Sequence, residues 1–213
     1  MRIIGISGKA GAGKDTVAEI LVEHGYVAVA FADEMKRICA ELFGFSREQL
    51  WGPSHLRNVV DPLWNVSLRS VLQSLGAWGC EQNASLWLLR VLGVVAALEG
   101  DPRLGYSRFD GLGFVDGDAR FKRPSRDGGV VIPDVRLFTE MTWLRDVGAV
   151  MARVRRDGAG LRGPAGEHPS ETEQDNVPDR FFARVLVNNG TLDDLRRDVI
   201  AAFELERAGG AHR

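Results

Sequence analysis

The chain is poor in everything that holds small secreted, metal-bound or membrane proteins together. It has two cysteines, Cys39 and Cys80, enough for one bridge at most and without metal-site spacing, so both read as buried, reduced thiols. His24, His55, His168 and His212 are scattered with no ligand pattern. No apolar run is long enough to cross a bilayer, since the longest, residues 86–98, is interrupted by Arg90. Arg2 and a few apolar residues meet glycines and Lys9 at once, which is not the pattern of a secretion signal. Nor does one sign of charge dominate. Lys and Arg number 27 and Asp and Glu 29, a net −2, which argues against a surface that grips nucleic acid. The expectation is a cytoplasmic protein whose partners are small molecules, with no membrane and no nucleic acid.

What is present is ordinary, with one exception. A length of 213 residues, 45% of them hydrophobic and 26% charged, suits one domain with insertions around a core that needs no staples. Glycine is the exception: 25 residues, about 12% against a usual figure of about 7%. The glycines gather near the start of the chain and again over residues 100–129.

Patterning predicts alternating strands and helices. Ile3, Ile4 and Ile6 suit a strand buried on both faces, and after a glycine break Val17, Ala18, Ile20 and Leu21 recur at helical spacing until Gly25. Residues 27–31 read as a second strand. Met35, Ile38, Cys39, Leu42 and Phe43 then repeat as one helical face. A short helix is expected near residues 46–50, where Ser46 and Gln49 fit a capping box, and a longer one from about Ser67. On that longer helix Leu68, Val71, Leu72 and Leu75 point one way, while Arg69 and Gln73 share another face. An apolar helix covers residues 85–98. Residues 130–135, 149–154 and 185–187 read as strands, with a helix through Met141, Leu144 and Val147 between the first two, and Thr191 with Asp194 caps a final helix. The alternation implies a parallel sheet covered by helices.

The strongest chemical signal is Gly8-Lys9-Ala10-Gly11-Ala12-Gly13-Lys14-Asp15-Thr16, the pattern G-x-x-x-x-G-K with Asp where Ser or Thr is usual. Its glycines let backbone N–H groups turn inward around an anion, and the helix that follows adds unpaired N–H groups and a positive dipole end. Lys14 then reaches the outer phosphates of a triphosphate. Asp15 is either a ligand to Mg²⁺ held through water or a plain helix-start acid. Further along, Asp33 and Lys36 follow the second strand, on the side where open α/β sheets bind ligands. Asp134 and Arg136 leave the end of another strand, with Glu140 one turn on.

Taken in order, the motifs resemble those of the bacteriophage-type deoxynucleoside monophosphate (dNMP) kinases. These are G-x-x-x-x-G-K-D-T at residues 8–16, F-A-D-x-x-K at 31–36, R-x-x-x-Q-x-L-G at 69–76 and Trp87. D-V-R-x-x-x-E at 134–140, H-x-S-E at 168–171 and N-x-G-T-L at 188–192 follow. They span nearly the whole chain. The resemblance implies a single P-loop kinase domain over residues 1–213, of three-layer α/β/α architecture with a five-stranded parallel sheet. It implies an acceptor-binding insertion around 33–100, a long loop at 100–129 and a lid around 156–178. It implies ATP and Mg²⁺ as the phosphoryl donor and its metal, and a possible homodimer. Gly8, Gly11, Ala12, Gly13, Lys14, Asp15 and Thr16 would hold the phosphates, and Asn189 and Gly190 would lie against adenine. Asp33, Lys36, Arg69, Gln73, Trp87, Asp134, Arg136 and Glu140 would line the dNMP pocket. Lys14, Arg136 and Arg156 would steady the transferring group.

Bland readings stand beside several of these. Trp87 is either core packing or a wall for the base, Arg69 with Gln73 either a solvent-facing pair or a phosphate and base contact, and Glu171 orders the lid. Two departures from the family are plain. The segment Leu75-Gly76-Ala77-Trp78-Gly79-Cys80-Glu81 lacks the threonine and arginine the family carries, and the 100–129 loop is long. Its Arg103, Arg108, Arg120, Lys122, Arg123 and Arg126 form either a solvated loop or further phosphate contacts. The rival readings are another P-loop small-molecule kinase, resembling phosphomevalonate or dephospho-coenzyme A kinase, and a nucleotide-binding module without turnover.

Overall fold

The computed structural model describes residues 1–99, 128–163, 166–167 and 169–205. The arginines and lysine of the long loop singled out above, and His168, lie outside them. β1 (Arg2–Ser7) has a parallel neighbour on each edge, and its Ile4 and Ile6 are fully buried in a cluster with Val17, Leu21 and Phe203 on one sheet face. The parallel sheet runs β2 (Val27–Ala28), β5 (Gly129–Ile132), β1, β6 (Val150–Arg155), β7 (Arg184–Val187). Every pairing in it is parallel. The five-stranded parallel sheet and its helices have the α/β architecture the sequence implied.

Helices supply the cover. α1 (Lys14–Glu23) presents Val17, Ala18, Ile20 and Leu21 to the core, and a final helix, α8 (Leu192–Phe203), presents Leu195, Val199 and Phe203 to the same cluster. Burying a side chain of that size contributes about 1.5–3 kcal/mol, so this face decides the fold more than helix propensity does. Thr191 accepts a hydrogen bond from the Asp194 N–H at 3.2 Å, the expected cap. Between β5 and β6 runs α6 (Phe138–Asp146), burying Met141 and Leu144. Val147, placed by its spacing on that buried face, falls one residue past the helix end and is exposed.

By contact density the chain divides into two units, residues 1–29 with 93–213, and residues 30–92. α2 (Phe31–Phe43), α3 (Arg47–Trp51) and α4 (Leu68–Gln82) surround Cys39, Phe45, Leu50 and Leu68. Ser46 and Gln49 cap α3 reciprocally, as their spacing predicted. Three expectations are corrected here. The second strand ends at Ala28 and Phe31 already belongs to α2, because Asp33 accepts the Ala30 N–H and starts the helix there. A two-stranded hairpin, β3 (Val60–Asp61) with β4 (Val66–Ser67), occupies a stretch read as irregular. Cys80 is exposed, since it sits seven residues from Gln73 and so shares that residue's outward face of α4. α5 (Leu86–Glu99) follows α4 after a short turn.

Candidate phosphate-binding site

The loop after β1 is a backbone device. Gly8, Gly11 and Gly13 have φ of 152°, 78° and 101°, a region side-chain-bearing residues rarely enter. Space forbids a side chain too: a Cβ on Gly8 would lie 2.4 Å from the Val154 carbonyl oxygen, and one on Gly13 2.3 Å from Asn188 Nδ2. Gly13 is the N-cap of α1 and offers it no side chain. The first-turn N–H groups of α1 are therefore left for an anion. Lys14, buried in that first turn, donates from Nζ to the Lys9 carbonyl oxygen at 2.9 Å. Burial, and then the charge of Arg136, lower its pKa to about 8. Two cations close enough to act on each other's charge, with unpaired N–H groups at the start of α1, suit a polyanion. Asp15 is exposed and makes no hydrogen bond among the described residues, and Thr16 is half-buried beside it.

Arg136 reaches this place because the chain leaving β5 is pinned there. Pro133 ends the ladder, and the Val135 N–H donates to the Ile6 carbonyl oxygen at 3.2 Å, beside the start of the glycine loop. Glu140 Oε2 accepts the N–H groups of Arg136 at 2.8 Å and Leu137 at 2.9 Å, holding the turn that begins α6. Burial, reinforced by the charge of Asp134 and opposed by those two N–H bonds, raises the Glu140 pKa to about 7. Glu140 thus serves the backbone that carries Arg136. The Arg136 guanidinium pairs with Glu171, which lies in α7 (Pro169–Thr172). The other oxygen of Glu171 accepts the Ala10 N–H of the glycine loop at 3.2 Å.

β1 connects toward β2 and β5, while β6 leads on to β7. Their carboxyl ends therefore diverge, the place where open parallel sheets form a crevice. A cavity of about 230 Å³ lies there, lined by Gly8, Lys9 and Ala12 of the loop, by residues 153–157, and by Gln174 and Asp175. Arg156 is exposed on it and meets no carboxylate among the described residues. Arg153 is buried instead, donating to Asp179 at 2.9 Å and to the Gln174 carbonyl at 2.7 Å, with its guanidinium against the Phe182 ring. Asn189 accepts the Asp157 N–H and donates to the Asp157 carboxylate, both at 2.9 Å. Gly190 is exposed, just ahead of the Thr191 cap.

Asp134, half-buried, lies two residues before Arg136 at the exit of β5. The other sequence-predicted residues lie in the 30–92 unit, and most are engaged there. Asp33 accepts from Trp51 Nε1 at 3.1 Å and from Lys36 at 3.5 Å, and the Lys36 ammonium lies 5.9 Å from the Trp51 ring. Arg69 donates to Asn58 Oδ1 and to the Ser54 carbonyl. Gln73 is exposed. Trp87 is buried, donates to the Gly76 carbonyl at 3.0 Å and leans on Gly79, so its indole is used in packing α5 onto α4.

Two residues of the site escaped the role that sequence reasoning gave them. Asn188 donates from Nδ2 to the Ala12 carbonyl at 2.8 Å and so holds the glycine loop from below. Its only signal was its place in N-x-G-T-L, which drew attention to Asn189 instead. Glu171 touches the loop itself, which no local pattern reveals.

No family model matches the chain. It is similar to a protein of Acanthamoeba polyphaga mimivirus named "Putative deoxynucleotide monophosphate kinase", 29% identical over 213 residues, 96% of this chain and 97% of the relative. Among solved structures it is similar to TT1252 from Thermus thermophilus, 19% identical, with a TM-score of 0.42 over 95% of this chain and 96% of that one.

Proposed function

We propose that the chain is an ATP-dependent dNMP kinase. The observation that carries the reading is the convergence of Lys14 and Arg136 on a glycine loop at the carboxyl end of β1. The name of the mimiviral relative, matched over nearly the full length of both chains, supports the same reaction class.

In that reaction an oxygen of the acceptor's 5′-phosphate bonds to the γ-phosphorus of ATP. The bond from that phosphorus to the bridging oxygen breaks, and ADP leaves. The acceptor oxygen is already anionic at neutral pH, so no strong base is required, and catalysis is alignment plus charge neutralisation. The loop N–H groups and Lys14 hold the triphosphate. Arg136, and Arg156 at the exit of β6, steady the equatorial oxygens. Mg²⁺, when bound, would neutralise charge on the triphosphate. Asp15, in the first turn of α1, is the carboxylate that would reach it through water. Asn189 and Gly190 border the adenine end. Within the 30–92 unit Asp33, Lys36, Arg69 and Gln73 are the candidates that recognise the acceptor, and Trp87 packs α5 onto α4 behind them. Within the unit that carries the glycine loop the candidate is Asp134, and Glu140 holds the turn that carries Arg136. Residues 156–178 act as a lid that excludes water and limits wasteful hydrolysis of ATP.

The test is ADP release from MgATP over the four dNMPs, the four ribonucleoside monophosphates, mevalonate phosphate and dephospho-coenzyme A. ADP formed with at least one dNMP, and a fall of about 10³-fold or more in Lys14→Ala, is the expected result. ADP formed only with the last two acceptors, or none with any, overturns the reading.

A further inference from the structure

Glu171 is a carboxylate with 4% of its side chain exposed, and a charge that deep needs partners. It has two, from distant parts of the chain. One oxygen takes the Ala10 N–H of the glycine loop at 3.2 Å, and the other is paired with Nη1 of Arg136. Arg136 keeps a third of its side chain exposed, so one edge of its guanidinium is tied while the rest faces outward. Lys14 lies near enough to feel the charges of both Arg136 and Glu171. A long arginine left to itself samples many rotamers, and this contact selects one, next to the loop.

Resting on the kinase reading, we infer that Glu171 is a positioning residue: its carboxylate clamps Arg136 to the glycine loop and so aims the guanidinium at the phosphoryl group in transfer. The role goes beyond ordering residues 169–176, because the pairing spends the acid's charge on the arginine. It also has a cost. The same charge repels the triphosphate, so the clamp trades some ATP affinity for alignment.

Glu171→Gln tests this, since its carbonyl still accepts the Ala10 N–H while the charge that holds Arg136 is gone. With the best dNMP, kcat falls by about 10–100-fold, the scale of a misplacement near 1 Å, while MgATP Kd by calorimetry stays the same or tightens. Arg136→Ala combined with Glu171→Gln is no slower than Arg136→Ala alone, because the acid acts through the arginine. Glu171→Asp keeps the charge on a shorter arm, loses kcat without losing ATP affinity, and serves if the glutamine variant does not fold. Wild-type kcat in Glu171→Gln, weakened ATP binding in parallel with kcat, or losses that multiply in the double variant would each overturn the inference. The kinase reading is judged on the wild-type protein alone: if that protein binds MgATP but phosphorylates no dNMP, the reading falls and takes the inference with it.

Discussion

The two units use their polar groups in opposite ways. Around the glycine loop, backbone N–H groups and the cations Lys14 and Arg136 are gathered near one another, and the acids Glu171 and Glu140 hold the loop and the Arg136 segment in place. In the 30–92 unit the candidate side chains are turned toward one another: Asp33 to Trp51, Arg69 to Asn58, Trp87 to Gly76. The first arrangement is complementary to a ligand before any ligand arrives. The second is a scaffold whose candidate groups are held by neighbours, so their polarity is spent on the unit itself.

The sharpest way to break that contrast is to damage the scaffold and watch the cradle. A Cβ at Gly79 would lie 2.5 Å from Cζ2 of Trp87 and 2.7 Å from its Nε1. The ring is rigid and buried, so something must shift. Overpacking of this kind costs about 1–3 kcal/mol, against a gain of up to about 1 kcal/mol in helix propensity, leaving Gly79→Ala destabilised by about 1–2 kcal/mol. Gly76 is the internal control. There a Cβ meets only Met35 Sδ at 3.5 Å, ordinary contact, so Gly76→Ala is neutral or slightly stabilised. Urea midpoints measure both, and MgATP affinity stays within about twofold in each. Weakened ATP binding in Gly79→Ala would join what the comparison separates.

How much of this is legible in sequence follows from the same contrast. The cradle is written in one contiguous stretch, and its glycines are demanded by φ values and by atoms that leave no room for a side chain, so a local motif finds it. The parallel sheet was legible as well, through the alternation of buried strands with amphipathic helices. The contacts of the 30–92 unit were not. Asp33 and Trp87 were visible as motif members, yet what each one touches depends on Trp51 and Gly76, which only the fold brings near. Asn188 and Glu171 were hidden for the same reason. Their partners lie 176 and 161 residues away along the chain, and a hydrogen bond at that separation leaves no periodicity to read.

Asn188 sharpens the cradle's half of the comparison. Asn188→Ala removes the donor to the Ala12 carbonyl, a bond whose net worth is about 1 kcal/mol, or roughly fivefold in an equilibrium constant. Because that carbonyl belongs to the loop that would wrap the phosphates, the loss should appear as weaker MgATP binding of about that size, with adenosine affinity unchanged. Asn188→Asp should be worse, placing carboxylate oxygen against carbonyl oxygen and a negative charge below the cradle. Calorimetric titration with MgATP and with adenosine separates the outcomes. Equal losses for both ligands would reduce Asn188 to a general structural role.

The last effect concerns Glu140, and its sign can be fixed in advance. Burial raises its pKa from an ordinary 4.5 to about 7, so between those values the folded chain holds a proton that the unfolded chain has released. Stability from this group is therefore full below pH 4.5 and is lost as pH rises through 7. Glu140→Gln cannot ionise, yet its carbonyl still accepts the N–H groups of Arg136 and Leu137. The difference in thermal midpoint, variant minus wild type, should climb between pH 4.5 and 7 and then level off. Subtracting the wild-type curve removes the titration of distant groups common to both proteins. A difference that stays flat across that window would mean the carboxylate is ionised in the folded chain, held so by its two N–H donors against burial. Glu140 would then act as a fixed negative charge beside Arg136, and the segment that carries this arginine would hold one acid more than its present chemistry requires.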